Sequence, residues 1–414
     1  MSGGPSTGHD KVPVPTHTSS DSALPLRRSL KTFQGAVAAL SFSILLAGSN
    51  ATTPLLPVYR SLMGFSPLTM SWTFVCYVGA LIIFLVLLSR PSVLRWSPAL
   101  LLAGLLAAIA SDLCMAIGTE ATILLGRVLT GVGVGLGTGP AAALVVDAFG
   151  ARGRSVSATG NLVGAVIGTV LSQLAVSLLD GRVAIGWVFH VHAMASFVLL
   201  VILLAIFRSM RHENRRALGG IDVTAPKVYR TLLANWLPLC VGSLAWILIS
   251  VALTFLSSFF RESGMLIVGS SGMIVMLVCC AACQLGARQV ARLAPMATGV
   301  EAMLIGLLLV LAAVFTGLSG LSLLGLAFVG AGIGISYRMA LVMLTRGAPP
   351  NIHGVLSSTY AAITYAIAAI SVIVLGMLGN VFGLHNVVLA ALALMALLSA
   401  ILSRRSPRVS MERR

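Results

Sequence analysis

The stretch Leu124-Leu-Gly-Arg-Val-Leu-Thr-Gly-Val-Gly-Val-Gly-Leu-Gly-Thr-Gly-Pro140 decides how the chain is read. It is apolar and studded with glycine, and it holds a single charge, Arg127. A charged side chain in such a run costs about 2.5 to 3.5 kcal/mol on insertion scales, so Arg127 is expected to face a partner or a water-filled cavity. Gly131, Gly135 and Gly139 recur every fourth residue, the small-xxx-small spacing that lets two helix backbones approach closely. The run reads as a membrane helix that lines a path for something polar. Alternating glycines also suggest a phosphate loop, but the chain has no Gly-x-x-x-x-Gly-Lys-Ser/Thr here and no flanking strand and soluble helix.

Composition extends this setting to the whole chain. Of its 414 residues, 58% are hydrophobic and 9% charged, and the mean hydropathy is +1.01; a soluble domain carries about 25% charged residues. The sequence is that of a polytopic membrane protein. The net charge of +16 does not signal nucleic acid, because the basic residues sit between apolar runs and are neither interleaved with aromatic residues nor set at helix-turn-helix spacing. Cys76, Cys114, Cys240, Cys279, Cys280 and Cys283 all fall inside apolar runs, where cysteine behaves as a small hydrophobe. The Cys279-Cys280-x-x-Cys283 cluster has no second pair or histidine beside it, so no metal or other cofactor is expected.

Residues 1–32 are rich in Ser, Thr, Pro, Gly and His and lack apolar periodicity, and so are expected to form a disordered tail. This tail is too long and polar for the n-region of a cleaved signal peptide. Twelve apolar runs follow, at 33–58, 68–89, 97–117, 121–146, 157–179, 186–207, 231–257, 264–285, 296–317, 320–345, 353–379 and 383–403. Most reach the roughly 20 residues that cross a bilayer. With both termini in the cytoplasm, all but five of the 27 basic residues fall in inside segments: Arg60, Arg182 and Arg261 lie outside, and Arg127 and Arg338 within helices. That asymmetry fits the positive-inside rule and an even number of crossings, as in a multi-pass protein of the inner or plasma membrane.

The basic segment 208–230 divides the runs into two groups of six, 33–207 and 231–403, and reads as a cytoplasmic linker; 404–414 reads as a basic cytoplasmic tail. An echo supports duplication. Arg90-Pro-Ser-Val-Leu-Arg95-Trp-Ser-Pro98 precedes the third run, and Arg288-Gln-Val-Ala-Arg292-Leu-Ala-Pro295 precedes the ninth. Transporters are commonly built from repeated halves with the site between them.

In this arrangement the chain resembles the major facilitator superfamily of secondary transporters over about residues 33 to 403. The most specific match is in the fourth run, where Arg127 stands four residues before Gly131; in proton-linked members that arginine is associated with proton transfer. Asp147 resembles a position that helps latch the cytoplasmic gate, with Arg90 and Arg95 in the loop that completes the latch. The segment from Asn50 to Tyr59 looks like the outer end of a family helix 1. The chain departs from the family in two places. Ser89 to Pro98 keeps the arginines of the hallmark loop without its aspartate and glycines, and Gly160-x-x-x-Gly164-x-x-x-Gly168 has the spacing of a packing seam without the proline of family antiporters.

Depth along the helices suggests which charges meet. Asp112 lies about 15 residues, or roughly 22 Å, from the inner end of the third run, and Arg127 roughly 9 Å below the outer end of the fourth, so the two are expected at similar depth in a core about 30 Å thick and are expected to pair. Similar counting makes Glu301 and Arg338 the candidate second pair, in the other half. Asn50, Tyr77, Asn161, Gln173, Asn235, Trp246, Tyr337, Tyr360 and Tyr365 join them as polar or aromatic candidates for the solute site, Asn50 and Arg127 foremost, and Pro54, Pro140 and Pro238 as candidate breaks in helices.

The expected fold is therefore all-α, with twelve transmembrane helices in two six-helix bundles. The expected function is alternating-access transport of a small organic solute, coupled to protons, by a monomer in the bilayer, with uptake or efflux left open. An intramembrane enzyme or a sensor is the rival reading, and no His-Glu-x-x-His, Gly-x-Ser-x-Gly or paired membrane aspartate supports it.

Overall fold

The computed structural model describes residues 23–88, 91–217, 236–345 and 353–410. Helix α1 runs over Ala23–Ala51, a 3-10 turn at Thr53–Leu55 and a last piece at Leu56–Met63. It is followed by α2 (Pro67–Leu87), α3 (Ser97–Ile117), α4 (Glu120–Phe149), α5 (Ala151–Leu178) and α6 (Gly181–Ala217). Helix α7 is likewise interrupted, with Trp236–Val251, a π turn at Ala252–Leu256 and Ser257–Glu262 in series. Helices α8 (Leu266–Leu285), α9 (Gly299–Thr316), α10 (Ser319–Thr345), α11 (His353–Phe382) and α12 (Leu384–Ser403) complete the chain. Among the described residues eleven helices are long and apolar enough to cross a membrane, and the shorter apolar helix Val163–Leu178 within α5 brings the number to the twelve expected.

Local chemistry sets the helix ends. Gly118 closes α3 at φ 72° and Gly317 closes α9 at φ 74°, a left-handed conformation that glycine adopts without a Cβ clash. Thr119 then opens α4 through a reciprocal capping box with Thr122. Thr298 opens α9 in the same way with Glu301, which satisfies donors that a helix start leaves unpaired.

The two halves repeat one packing scheme. In the first, α4 is gripped by α2 and α3, α1 packs on α4 and α5, and α3 packs on α6; in the second, α10, α8, α9, α7, α11 and α12 take the corresponding places. Lipid gives little hydrophobic drive between helices, so close backbone approach through small residues does the joining. A Cβ on Gly131 would meet the Tyr77 carbonyl, and one on Gly135 would meet Phe84, both on α2. Gly330 and Gly334 meet the Met276 and Cys280 carbonyls of α8 with the same spacing. Gly133 faces Gly104 of α3, while Gly332 faces Gly299 of α9. Gly160, Gly164 and Gly168 lie along Ser43 and Ala47 of α1, so the seam read in α5 is a helix contact; Gly139, the third member of the α4 stripe, has no neighbour within 4 Å.

The tails and the linker differ from the sequence reading. Helix α1 begins at Ala23, inside the span assigned to the tail, because Leu24 to Lys31 holds leucines and basic residues that are good helix formers. Helix α6 continues to Ala217, so the first part of the 208–230 segment is helical. After α12 the chain does not trail free. The Val409 amide donates to the Ala297 carbonyl at 3.0 Å and that of Ser410 to the Pro295 carbonyl at 3.3 Å, and Val409 is fully buried among Ala291, Ile335 and Met339. Residues 1–22, 218–230 and 411–414 of the expected tail, linker and terminus lie outside the described residues.

Candidate functional site

The interruptions in α1 and α7 mark where the halves enclose a space. Pro54 has no N–H, so the α-helical bonding of α1 cannot continue through it. The Leu55 amide turns to the Thr52 carbonyl at 3.1 Å, and the Ala51 carbonyl accepts from the Ser172 hydroxyl of α5 at 2.6 Å instead. In α7 the π turn widens the helix at Leu253 and Thr254. Thr53, Leu253 and Thr254 all border one cavity of about 170 Å³ between the halves. Irregular backbone at membrane depth is tolerated where it lines such a space, and breaks at matching positions of repeated halves point to the binding site. Pro140 lies within an unbroken α4, and Pro238 in the first described turn of α7.

Arg127 forms the polar end of the cavity. It is 5% exposed. Its Nε donates to the Thr73 carbonyl of α2 at 2.8 Å, and its Nη1 donates to the Ser49 carbonyl at 2.9 Å and the Thr52 hydroxyl at 3.3 Å, both on α1. The guanidinium carbon lies 4.6 Å from the centre of the Tyr77 ring, a cation–π contact. Asn50 stands beside it, its amide nitrogen donating to the Leu46 carbonyl at 2.9 Å and the Ser49 hydroxyl at 3.1 Å. The second half adds an aromatic cluster to the lining. Trp246 makes edge contacts with Tyr365 at 4.2 Å and with Tyr337 at 5.7 Å.

Asn50, Tyr77, Arg127, Trp246 and Tyr337 thus meet around one space, and Gln173 and Arg338 do not border it. Arg338 donates through Nη1 to the Gln284 carbonyl at 2.7 Å, and Glu301 is spent on its helix cap, so these two do not pair. Asp112 does not pair with Arg127 either. It faces His192 of α6, with Oδ2 2.7 Å from Nδ1, and both side chains are buried. The other ring nitrogen of His192 donates to the Ile44 carbonyl of α1 at 2.8 Å, and the ring occupies the space that a Cβ on Gly48 would need. His190 is exposed, on its own helix's Gly186 carbonyl. Asp147 pairs with Lys31 at 3.1 Å; Arg95 is exposed beside Trp96, and Arg90 lies outside the described residues. Ser49 and Thr52 were not legible as partners of Arg127, although Pro54 signals freed carbonyls nearby.

On the side away from the 208–230 segment the halves are closed against each other. Arg60 at the end of α1 is ion-paired with Glu262 at the end of α7. The Ser71 hydroxyl of α2 donates to the Val372 carbonyl of α11 at 2.9 Å, and the Leu68 amide donates to Asn380 Oδ1 at 3.1 Å. Gly376 and Gly379 let α11 approach Ser71 and Pro67 closely.

With this architecture in hand, a family model described as Major Facilitator Superfamily matches residues 38–372. The chain belongs to the Major Facilitator Superfamily. Superfamily members of known structure share its fold. A bacterial homolog of the human lysosomal transporter Spinster, inward-facing and unoccupied, is 14% identical with a TM-score of 0.68, over 94% of this chain and 98% of that one. The xylose transporter XylE from E. coli in an inward open conformation is 14% identical with a TM-score of 0.65, over 92% and 97%. The nucleoside transporter NupG is 13% identical with a TM-score of 0.62, over 91% and 98%. Among curated proteins no sequence matches the chain. As a superfamily member it is a multi-pass membrane transporter and not an enzyme.

Proposed function

We propose that the chain moves a small organic solute by alternating access through the cavity at Arg127, coupled to protons. The observation that carries this reading is the placement of Arg127 between two interrupted helices, in the space where two repeated bundles face each other. The far-side contacts Arg60–Glu262 and Ser71–Val372 then form the closed gate of an inward-facing state. Residues 33–207 and 231–403 are the moving halves, 208–230 their cytoplasmic linker, and the monomer is the working unit in the cell membrane; nucleic acid has no part in it.

Orientation is tested by labelling. With the six native cysteines replaced, a new cysteine in the 208–230 segment is expected to escape an impermeant thiol reagent in intact cells, and one beside Arg182 to react. The reverse pattern overturns the topology.

Proton coupling is assigned to Asp112 and His192, which hold protons in a countable way. The contact of His192 Nε2 with a carbonyl requires N–H there, so the 2.7 Å contact of Nδ1 with Asp112 needs one further proton, on either partner. Losing it leaves a carboxylate against a ring lone pair, and the ring rests on Gly48 beside the Ser49 carbonyl that holds Arg127. Titration of the pair is thereby linked to the solute site. Asp112→Asn is expected to abolish uphill transport driven by a pH gradient while sparing solute exchange, which needs no net proton movement. Uphill transport at the wild-type rate would make Asp112 structural.

A further inference from the structure

The cavity carries one charge that no carboxylate among the described residues balances. Arg127 is the cationic residue on its wall, and among the described residues no aspartate or glutamate borders the same space. The nearby carboxylates are engaged elsewhere, Asp112 with His192 and Glu120 with Thr69 at the far side. Two carbonyls, a hydroxyl and a ring face take up Nε and Nη1, but neutral acceptors orient a guanidinium without cancelling its charge. No described protein group accepts from Nη2. A buried cation without a counter-charge is costly, and an arriving anion removes that cost.

The rest of the wall selects the remainder of the solute. Trp246, Tyr337 and Tyr365 line the same cavity, with Ile249, Leu277 and Ile333 among its apolar residues. We infer that the solute is a small monocarboxylate with an aromatic or branched apolar body, its carboxylate on Arg127 and its body against Trp246 and Tyr365. This rests on the reading of the cavity as the transport site. One arginine neutralises one charge, so a dianion brings a second charge with no partner, and an amine meets repulsion at Arg127.

The test measures thermal unfolding of the purified full-length protein in detergent with phenylacetate and 4-methylvalerate, their neutral amides, and phenethylamine. The carboxylates are expected to raise the unfolding midpoint by mass action, and the amides and the amine to leave it unchanged. Arg127→Gln is expected to weaken phenylacetate binding by roughly ten- to a hundredfold, the range for a hydrogen bond to a charged group. Because Arg127 also ties α1 to α2, Arg127→Lys provides the second arm: it keeps the charge and is expected to keep the preference for carboxylate over amide. The inference is overturned if the amides or the amine stabilise as well as the carboxylates, if neither carboxylate stabilises, or if Arg127→Lys loses the preference. Flux into proteoliposomes separates the two readings. Movement of a neutral or cationic solute removes the anion class and leaves transport standing, whereas absence of flux for any solute removes the transport reading itself.

Discussion

Arg127→Ala is expected to abolish both uphill transport and solute exchange, a loss of more than about a hundredfold in proteoliposome flux. Two contributions act together. The substitution leaves the Ser49 carbonyl, in the last turn of α1, without its donor, at about 1 to 3 kcal/mol, and removes the second donor of the Thr73 carbonyl, which keeps its bond within α2. It also strips the cavity of the charge that faces the solute. The unfolding midpoint of the purified variant reads the first contribution, and exchange per folded protein, with the same labelled solute on both sides, reads the second. Persistence of exchange at the wild-type rate would move the solute site away from Arg127. The contrast with Asp112→Asn, which is expected to lose the uphill component alone, distinguishes a group that holds solute from one that carries a proton.

Bulk at Gly131 is the second large effect. A Cβ there meets the Tyr77 carbonyl, the Ala80 methyl and the Leu81 amide, so two of its three neighbours are backbone that cannot swing aside. Gly131→Leu is expected to separate α4 from α2, displace Tyr77 from Arg127, and destabilise the protein by more than the roughly 1 to 3 kcal/mol typical of overpacking. Gly139→Ala is the control on the same helix. A Cβ there meets no neighbouring helix within 4 Å, and the gain in helix propensity is expected to raise stability by roughly 0.5 to 1 kcal/mol. Unfolding midpoints of the two variants in detergent decide the matter; equal midpoints would show that the seam tolerates bulk.

That pair of glycines also shows what the sequence carried and what it did not. Gly131, Gly135 and Gly139 share one spacing, and spacing alone does not say where along the stripe the partner helix diverges. The twelve crossings were legible because a run of about 20 apolar residues has few other uses, and Arg127 was legible as a cavity residue because a charge in such a run needs a polar neighbour. The expected Asp112–Arg127 pair failed for a geometric reason. Counting residues gives depth in the membrane but not rotation about the helix axis. Ser111 turns to α4, bonding the Gly126 carbonyl at 2.7 Å, and Asp112, about 100° further round, turns to α6 and His192. Glu301 failed for a different one: three residues after Thr298 it completes a capping box, a local use that competes with any distant partner.

The glycine seams give each half a consequence of their own. Backbone lies directly on backbone from α2 to α4 and from α1 to α5, with Gly330 and Gly334 doing the same between α8 and α10, so little side-chain slack remains within a bundle. Each half is then a solid body, and the cycle reduces to a single coordinate between two solids. Spectroscopic labels at the exposed positions Leu62 and Leu266 straddle the closed side and read that coordinate. A pair at Leu62 and Ile117, also exposed, stays within one half and serves as its fixed ruler.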